Sequence, residues 1–322
     1  MKVISTKVIT ALLILPFLAA ASAPSLPAQT RQPAEARKAT PQPPQQPASE
    51  GEEIGEDEVL RVTTNLVSVP VSVMDRDGRY IFDLKQEDFR IYEDGTEQQI
   101  SHFSNVERPF TVVMLMDSSS STVSYIGQIR EAAAAFIAQL RGNDAVLPIS
   151  FDGFMHPLLN SRTSNRQALQ AALERLRTDE GSNGTRLYDA VEFAGQLLKR
   201  IPGRKAILLF TDGDDTWSKA TMKSTLEEAA ELDALVYTVH YGSSPSAQYL
   251  GSLAEKTGGH FYQADDLEAV KRAFAAVAEE LRHQYSIGYY PKKSARRGEE
   301  REIKIKVNRP NVSVKTRKFY IY

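Results

Sequence analysis

A chain of 322 residues has room for one large domain and a smaller companion. With 42% apolar and 25% charged residues it reads as soluble and globular, and a formal net charge of -2 excludes a global pull toward nucleic acid or anionic lipid. Its lack of cysteine excludes disulfides, Cys-zinc sites and thiol nucleophiles, and leaves the redox compartment open.

Lys2 and Lys7 precede an apolar stretch from Val8 to Ala21, followed by the small residues Ala21-Ser22-Ala23. This is the layout of a secretory signal peptide, placed at residues 1–23. The stretch is about 14 residues long, short of the ~20 that a membrane-spanning helix needs. The expected location is therefore secreted or periplasmic. Pro24 is unfavourable for cleavage just before it, so an uncleaved membrane anchor stays open as the alternative. Residues 24–58 are expected to be a disordered linker. They hold the Pro- and Gln-rich patch Pro41 to Pro47, then the acids Glu52, Glu53, Glu56, Asp57 and Glu58.

Residues 59–107 carry a β pattern. Leu66 to Met74 alternates as a half-buried strand should, and Asp75 to Gly78 is a turn. Tyr80 to Phe82, Phe89 to Tyr92 and Gln98 to Phe103 give three more expected strands. Residues 108–283 change period. Strands are expected at 110–116, 145–151, 155–159, 205–211, 235–240 and 260–263, and helices at 124–140, 165–176, 187–200, 221–232, 246–257 and 266–283. That order predicts a doubly wound α/β domain with a mostly parallel sheet, in which Ala145 to Asn160 forms a hairpin. Residues 284–322 return to β, with expected strands at Tyr285 to Tyr290, Arg301 to Val307 and Val312 to Phe319. Neither β flank has enough strands alone, so the expected architecture is one small β-sandwich with the α/β domain inserted in it.

Three segments of the α/β domain place oxygen groups where strands end and helices begin, the ligand-binding edge of an open sheet. They are Asp117, Ser119 and Ser121 after the first strand, Thr185 before the helix at Leu187, and Asp212 after the strand ending at Phe210. Hydroxyls and carboxylates are hard oxygen donors and suit Mg2+ or Mn2+. Each piece alone has a plainer reading: a helix cap at Asp117 to Ser121, a helix start at Thr185, a turn at Asp212-Gly213. Asp214 and Asp215 read as solvated turn acids, and Trp217 as either a partner anchor or a packed ring. Lys292, Lys293, Arg296 and Arg297 read as a solvated cluster, blunted by acids at 299, 300 and 302.

Asp117-x-Ser119-x-Ser121, Thr185 in Gly-Thr-x-Leu-Tyr-Asp, and Thr211-Asp212-Gly213 resemble, in that order, the metal-ion-dependent adhesion site of von Willebrand factor type A domains. The resemblance spans about residues 108–282. Phe89 to Gly95 and Tyr285 to Pro291 look like the bacterial secreted VWFA-related subgroup. The resemblance implies sheet order 3-2-1-4-5-6 with the hairpin strand at one edge. It also implies a Mg2+ or Mn2+ ion held by Asp117, Ser119, Ser121, Thr185 and Asp212 and completed by a protein partner's Asp or Glu.

Catalysis is not expected. Ser119 stands where a haloacid-dehalogenase-like phosphatase would carry its second Asp, and G-x-S-x-G, H-E-x-x-H, P-loop and G-x-G-x-x-G motifs are missing. His102, His156, His240, His260 and His283 show no paired-ligand spacing. Two other classes remain: a structural envelope protein with a vestigial metal site, and a hydrolase with an unrecognised triad.

Overall fold

The computed structural model describes residues 66–178, 184–241, 247–296 and 298–322. The expected signal peptide and linker, residues 59–65 of the first β segment, Gly181 to Asn183 before Thr185, and Arg297 lie outside the described residues.

Four strands come first: β1 (Val67–Met74), β2 (Phe89–Glu93), β3 (Thr96–Gln98) and β4 (Ile100–Ser104). The alternation in β1 is the burial pattern of one sheet face, with Val67, Val69, Val71 and Val73 all buried. Tyr80 to Phe82, expected as a strand, is not one; only Tyr80 forms an isolated bridge to Met74. Its aromatic rings pack instead on His283, at 6.0 Å for Tyr80 and 4.3 Å for Phe82.

The α/β domain follows in the expected order. Its elements are β5 (Phe110–Asp117), α1 (Ile126–Gln139), β6 (Ala145–Phe151), β7 (Met155–Pro157), α2 (Arg166–Leu173) and α3 (Leu187–Lys199). Then come β8 (Arg204–Thr211), α4 (Met222–Glu231), β9 (Leu235–Tyr241), α5 (Ala247–Thr257), β10 (Phe261–Ala264) and α6 (Leu267–Arg282). The sheet runs β10-β9-β8-β5-β6-β7, with only the edge strand β7 antiparallel. That is the 3-2-1-4-5-6 order with the hairpin strand outermost. Every residue of the central strand β5 is buried, because helices cover both faces. Val112, Met114 and Met116 pack toward α1, α2 and α6, while Val113 and Leu115 pack toward α3, α4 and α5. Each such side chain contributes about 1.5–3 kcal/mol on burial.

The turn from α5 into β10 depends on two glycines. Gly258 sits at φ +82°, and a Cβ on Gly259 would stand 2.0 Å from the Val236 carbonyl oxygen. That neighbour is backbone in a buried strand, so it cannot step aside. Gly259→Ala should therefore lower stability by ~1–3 kcal/mol, read as a fall in the urea midpoint at unchanged slope.

The chain closes with β11 (Tyr285–Tyr289), β12 (Glu300–Val307), β13 (Ser313–Thr316) and β14 (Phe319–Ile321). Two four-stranded sheets result, β13-β1-β11-β4 and β14-β12-β2-β3. Each takes two strands from either flank, so the flanks form one sandwich and the α/β domain is an insertion in it. Val69, Ile91, Ile287, Ile303 and Tyr320 are among the side chains that fill the space between the sheets. Tyr289 and Tyr320, one from each sheet, both donate hydroxyl hydrogen bonds to the buried Glu93 carboxylate, at 2.8 and 2.7 Å.

Two expected strands are each split. Residues 98–103 break at Gln99, since β3 pairs with β2 and β4 pairs with β11. Residues 312–319 break at Arg317-Lys318, since β13 pairs with β1 and β14 pairs with β12. At both points the chain turns a corner from one sheet to the other.

The insertion is tied down where the chain crosses into and out of it. Arg204 donates to the carbonyls of Val106, Leu281, Arg282 and Gln284, so one guanidinium holds both crossings and satisfies the end of α6. His283 lies between Glu107 at 3.4 Å and Glu279 at 3.3 Å.

Candidate metal centre

β5, β6 and β8 are parallel neighbours, so the segments after them emerge at one edge of the sheet. Asp117 is the last residue of β5 and is fully buried, at 0% exposure. Its Oδ1 accepts from the Ser119 amide at 3.0 Å and the Ser119 hydroxyl at 2.6 Å, and its Oδ2 accepts from the Thr211 hydroxyl at 2.6 Å. Ser119 Oγ lies 3.1 Å from Ser121 Oγ. A short 3-10 turn, Ser120–Thr122, holds the loop, and the Thr122 hydroxyl donates to the carbonyls of Asp117 and Ser119. None of these side chains caps α1. That helix begins at Ile126, and its cap position, Tyr125, makes no side-chain cap bond. The helix-cap reading of the serine run therefore gives way to a cluster of oxygens on a β5–α1 turn.

Asp212 follows β8, and its backbone carbonyl lies 3.0 Å from His240 Nε2, whose other ring nitrogen meets Gln263 at 2.8 Å. His240 thus braces the strand end that carries Asp212. Burial first, and the nearby Asp212 charge second, push the Asp117 carboxyl up to about 7, against hydrogen bonds from Ser119 and Thr211 that pull it down. The Tyr241 hydroxyl is also pushed well up, by burial and then by Asp117 and Asp212.

Thr185 is buried one residue before the cap position of α3, and its carbonyl accepts from the amides of Thr216 and Trp217, both at 3.0 Å. Its own amide donates to the Thr216 hydroxyl at 2.8 Å, and the next amide, of Arg186, donates to the Asp152 carbonyl at 2.9 Å. The Thr185 segment is thereby pinned between the loop after Asp212 and the hairpin turn after β6. Ser118 completes the ring by bonding the Phe151 carbonyl through its amide at 2.8 Å and its hydroxyl at 3.1 Å.

Several residues hold this edge in roles that the sequence reading did not give them. Asp215 is a structural acceptor rather than a solvated acid, receiving the Tyr188 amide at 3.2 Å and the Ser218 hydroxyl at 2.5 Å. Asp189 receives the amides of Lys219 and Ala220 at 2.9 and 2.8 Å. Trp217 combines both sequence readings. It is 47% exposed, yet its ring lies so close to Gly184 that a Cβ there would sit 2.5 Å from it.

The donor set suits a hard divalent cation. The buried Asp117 carboxylate feels the charge of the half-buried Asp212, and no Lys, Arg or His forms an ion pair with either among the described residues. No group of three or more His, Cys, Asp or Glu able to hold a metal occurs among the described residues, so a cation here would rely on hydroxyls for the rest of its shell.

Comparison with known proteins gives an independent measure. The family model of the von Willebrand factor type A domain matches residues 111–276. None of the curated proteins compared matches the chain. Among solved structures, a von Willebrand factor type A protein from Catenulispora acidiphila superposes with TM-score 0.50 at 12% identity, over 73% of either chain. The PilB minor pilin of Streptococcus sanguinis gives 0.45 at 15% identity, over 55% of this chain and 62% of that one. The vWF domain of the type V pili tip protein Mfa5 from Porphyromonas gingivalis gives 0.45 at 12%, over 54% and 95%. At 12% identity the likeness to the Catenulispora acidiphila protein is one of fold.

Proposed function

Since the chain belongs to the von Willebrand factor type A domain family, a family of protein-interaction modules, we propose that it is an extracytoplasmic binding protein with a metal-ion-dependent adhesion site. Asp117, Ser119, Ser121, Thr185 and Asp212 would hold Mg2+ or Mn2+, and a protein partner's Asp or Glu would complete the shell. The single observation that carries this reading is the pair Asp117 and Asp212, two carboxylates close enough to feel one another's charge and set among hydroxyls, with no Lys, Arg or His ion pair to either among the described residues. The bound ion would supply the positive charge that attracts a carboxylate. The chain's own residues do the positioning: Thr211 and Ser119 orient Asp117, His240 holds the Asp212 backbone, and Thr216 sets Thr185.

This reading is of binding, not catalysis. It also takes residues 1–23 as a leader removed on export, 24–58 as a tether, 108–283 as the interaction domain, and 59–107 with 284–322 as its sandwich base. Among the described residues no helix is long and apolar enough to cross a membrane. The decisive experiment is a capture assay from cell-envelope extract with Mg2+ and with EDTA, paired with calorimetric titration of the ion. Metal uptake and EDTA-sensitive capture are the expected results. Capture that survives EDTA would instead favour a structural envelope protein with a vestigial site.

A further inference from the structure

At the edge of the sheet opposite Asp117, where β8 and β9 begin, a cleft of about 250 Å³ lies between the α/β domain and the sandwich. One wall carries Arg108, Arg204, Lys205 and Asp233, and the other carries Ser68 and Ser286. Three cations thus face one carboxylate, and that carboxylate neutralises little. Lys205 Nζ approaches Asp233 only to 4.0 Å, and the Asp233 side chain is 58% exposed.

Lys205 is the unusual member. Its side chain is only 10% exposed, and its ammonium gives one hydrogen bond, to the Ile201 carbonyl at 3.1 Å. An ammonium has three donors, and burying unfilled ones is costly. Arg108 makes no hydrogen bond or ion pair among the described residues. Glu107, beside it in sequence, faces His283 at 3.4 Å. Arg204 adds fixed charge, with its own donors occupied by four carbonyls. Burial, and then the Arg108 charge, hold Arg204 below the usual arginine range, with Glu107 opposing them.

We propose that this cleft binds a small oxyanion of the phosphate type between Arg108 and Lys205, with the sandwich hydroxyls of Ser68 and Ser286 on the facing wall. Charge-assisted hydrogen bonds would fill the donors that the protein leaves open. Because both domains contribute a wall, a bound anion would also fasten the sandwich to the α/β domain and raise the melting temperature of the whole chain. The space admits free phosphate or a phosphoryl group on a small organic molecule.

The test is calorimetric titration of the full chain in EDTA at fixed ionic strength, with inorganic phosphate in one arm and glycerol phosphate in the other. Saturable binding is expected in at least one arm, weakened by at least ~10-fold in Arg108→Ala and in Lys205→Met. Binding in Asp117→Ala is expected to match wild type, which separates this cleft from the metal centre. Tighter binding of glycerol phosphate assigns a phosphoryl ligand, and tighter binding of inorganic phosphate assigns the free ion. Arg108 is exposed, so its variant keeps the fold even where Lys205→Met does not. Absence of saturation in both arms up to ~50 mM, or unchanged affinity in Arg108→Ala, overturns the proposal.

Discussion

Asp117→Ala should reduce Mg2+ or Mn2+ affinity by at least ~100-fold and abolish EDTA-sensitive partner capture. Residues that merely orient a metal ligand are typically worth 10–100-fold, so loss of a ligand carrying half the site's charge sets a larger effect. The variant also leaves the Ser119 and Thr211 hydroxyls without the acceptor they share. Asp117→Asn separates charge from shape, since it keeps the size and one acceptor oxygen. Both variants should fail to take up metal in a calorimetric titration; uptake equal to wild type in Asp117→Ala would sink the assignment.

The protonation of Asp117 gives the same idea a second, independent readout. In the metal-free protein, burial and then the nearby Asp212 charge push its carboxyl up to about 7 from the ordinary 3.8. Between those values the folded state holds the proton more tightly than the unfolded state does. Stability of the metal-free protein should therefore fall as pH rises from about 4 to about 7 and level off above it. Asp117→Asn should remove that slope. Metal needs the ionised carboxylate, so its affinity should drop by up to ~10-fold per pH unit below 7. The rise in melting temperature on adding Mg2+ should accordingly be larger at pH 8 than at pH 5.5. An equal rise at both values would mean that the ion binds elsewhere.

The order of the α/β elements was legible because its signals are local. Period changes from 2 to 3.6, and the near-continuous apolar run Phe110 to Met116 reads as a strand covered on both faces. What escaped was sheet switching. No glycine or proline stands at Gln99 or Arg317-Lys318, so no turn residue marks the corner; the change of partner strand decides it. Tyr80 to Phe82 failed for a related reason, since its aromatic content fits a strand but its rings are used on His283. At the metal centre, Asp117, Ser119 and Ser121 stood out through their i, i+2, i+4 spacing. The bracing roles of Thr211, Thr216 and Asp215 did not, because they act on groups 27 to 94 residues away. A carboxylate that accepts a distant amide looks, in sequence, like any turn acid.

Lys315→Met should destabilise the protein by ~3–5 kcal/mol, the usual cost of stranding a buried charge. Glu280, on α6, is 2% exposed, and its carboxylate meets Lys315 Nζ of β13 at 2.7 Å and the Ser72 hydroxyl of β1 at 3.4 Å. Burial raises the Glu280 pKa, and Lys315 is the main influence opposing that rise. Without Lys315 the carboxylate keeps little besides neutral hydroxyls from Ser72 and Tyr237. A Glu with a raised folded pKa loses stability as pH climbs through that value, so the defect should deepen as pH rises above the ordinary carboxylate range. Replacing both partners, Glu280→Leu with Lys315→Met, should recover most of the loss, because a buried pair and an apolar pair of similar volume are close in stability. Urea unfolding of the two singles and the double measures this directly. A single variant within 1 kcal/mol of wild type, or a double variant no better than Lys315→Met, would show that the pair is not what fastens α6 to the sandwich. Metal titration below the variant's midpoint should match wild type. The end of α6 lies against Arg204 at the start of β8, whereas Asp117 stands at the opposite edge of the sheet.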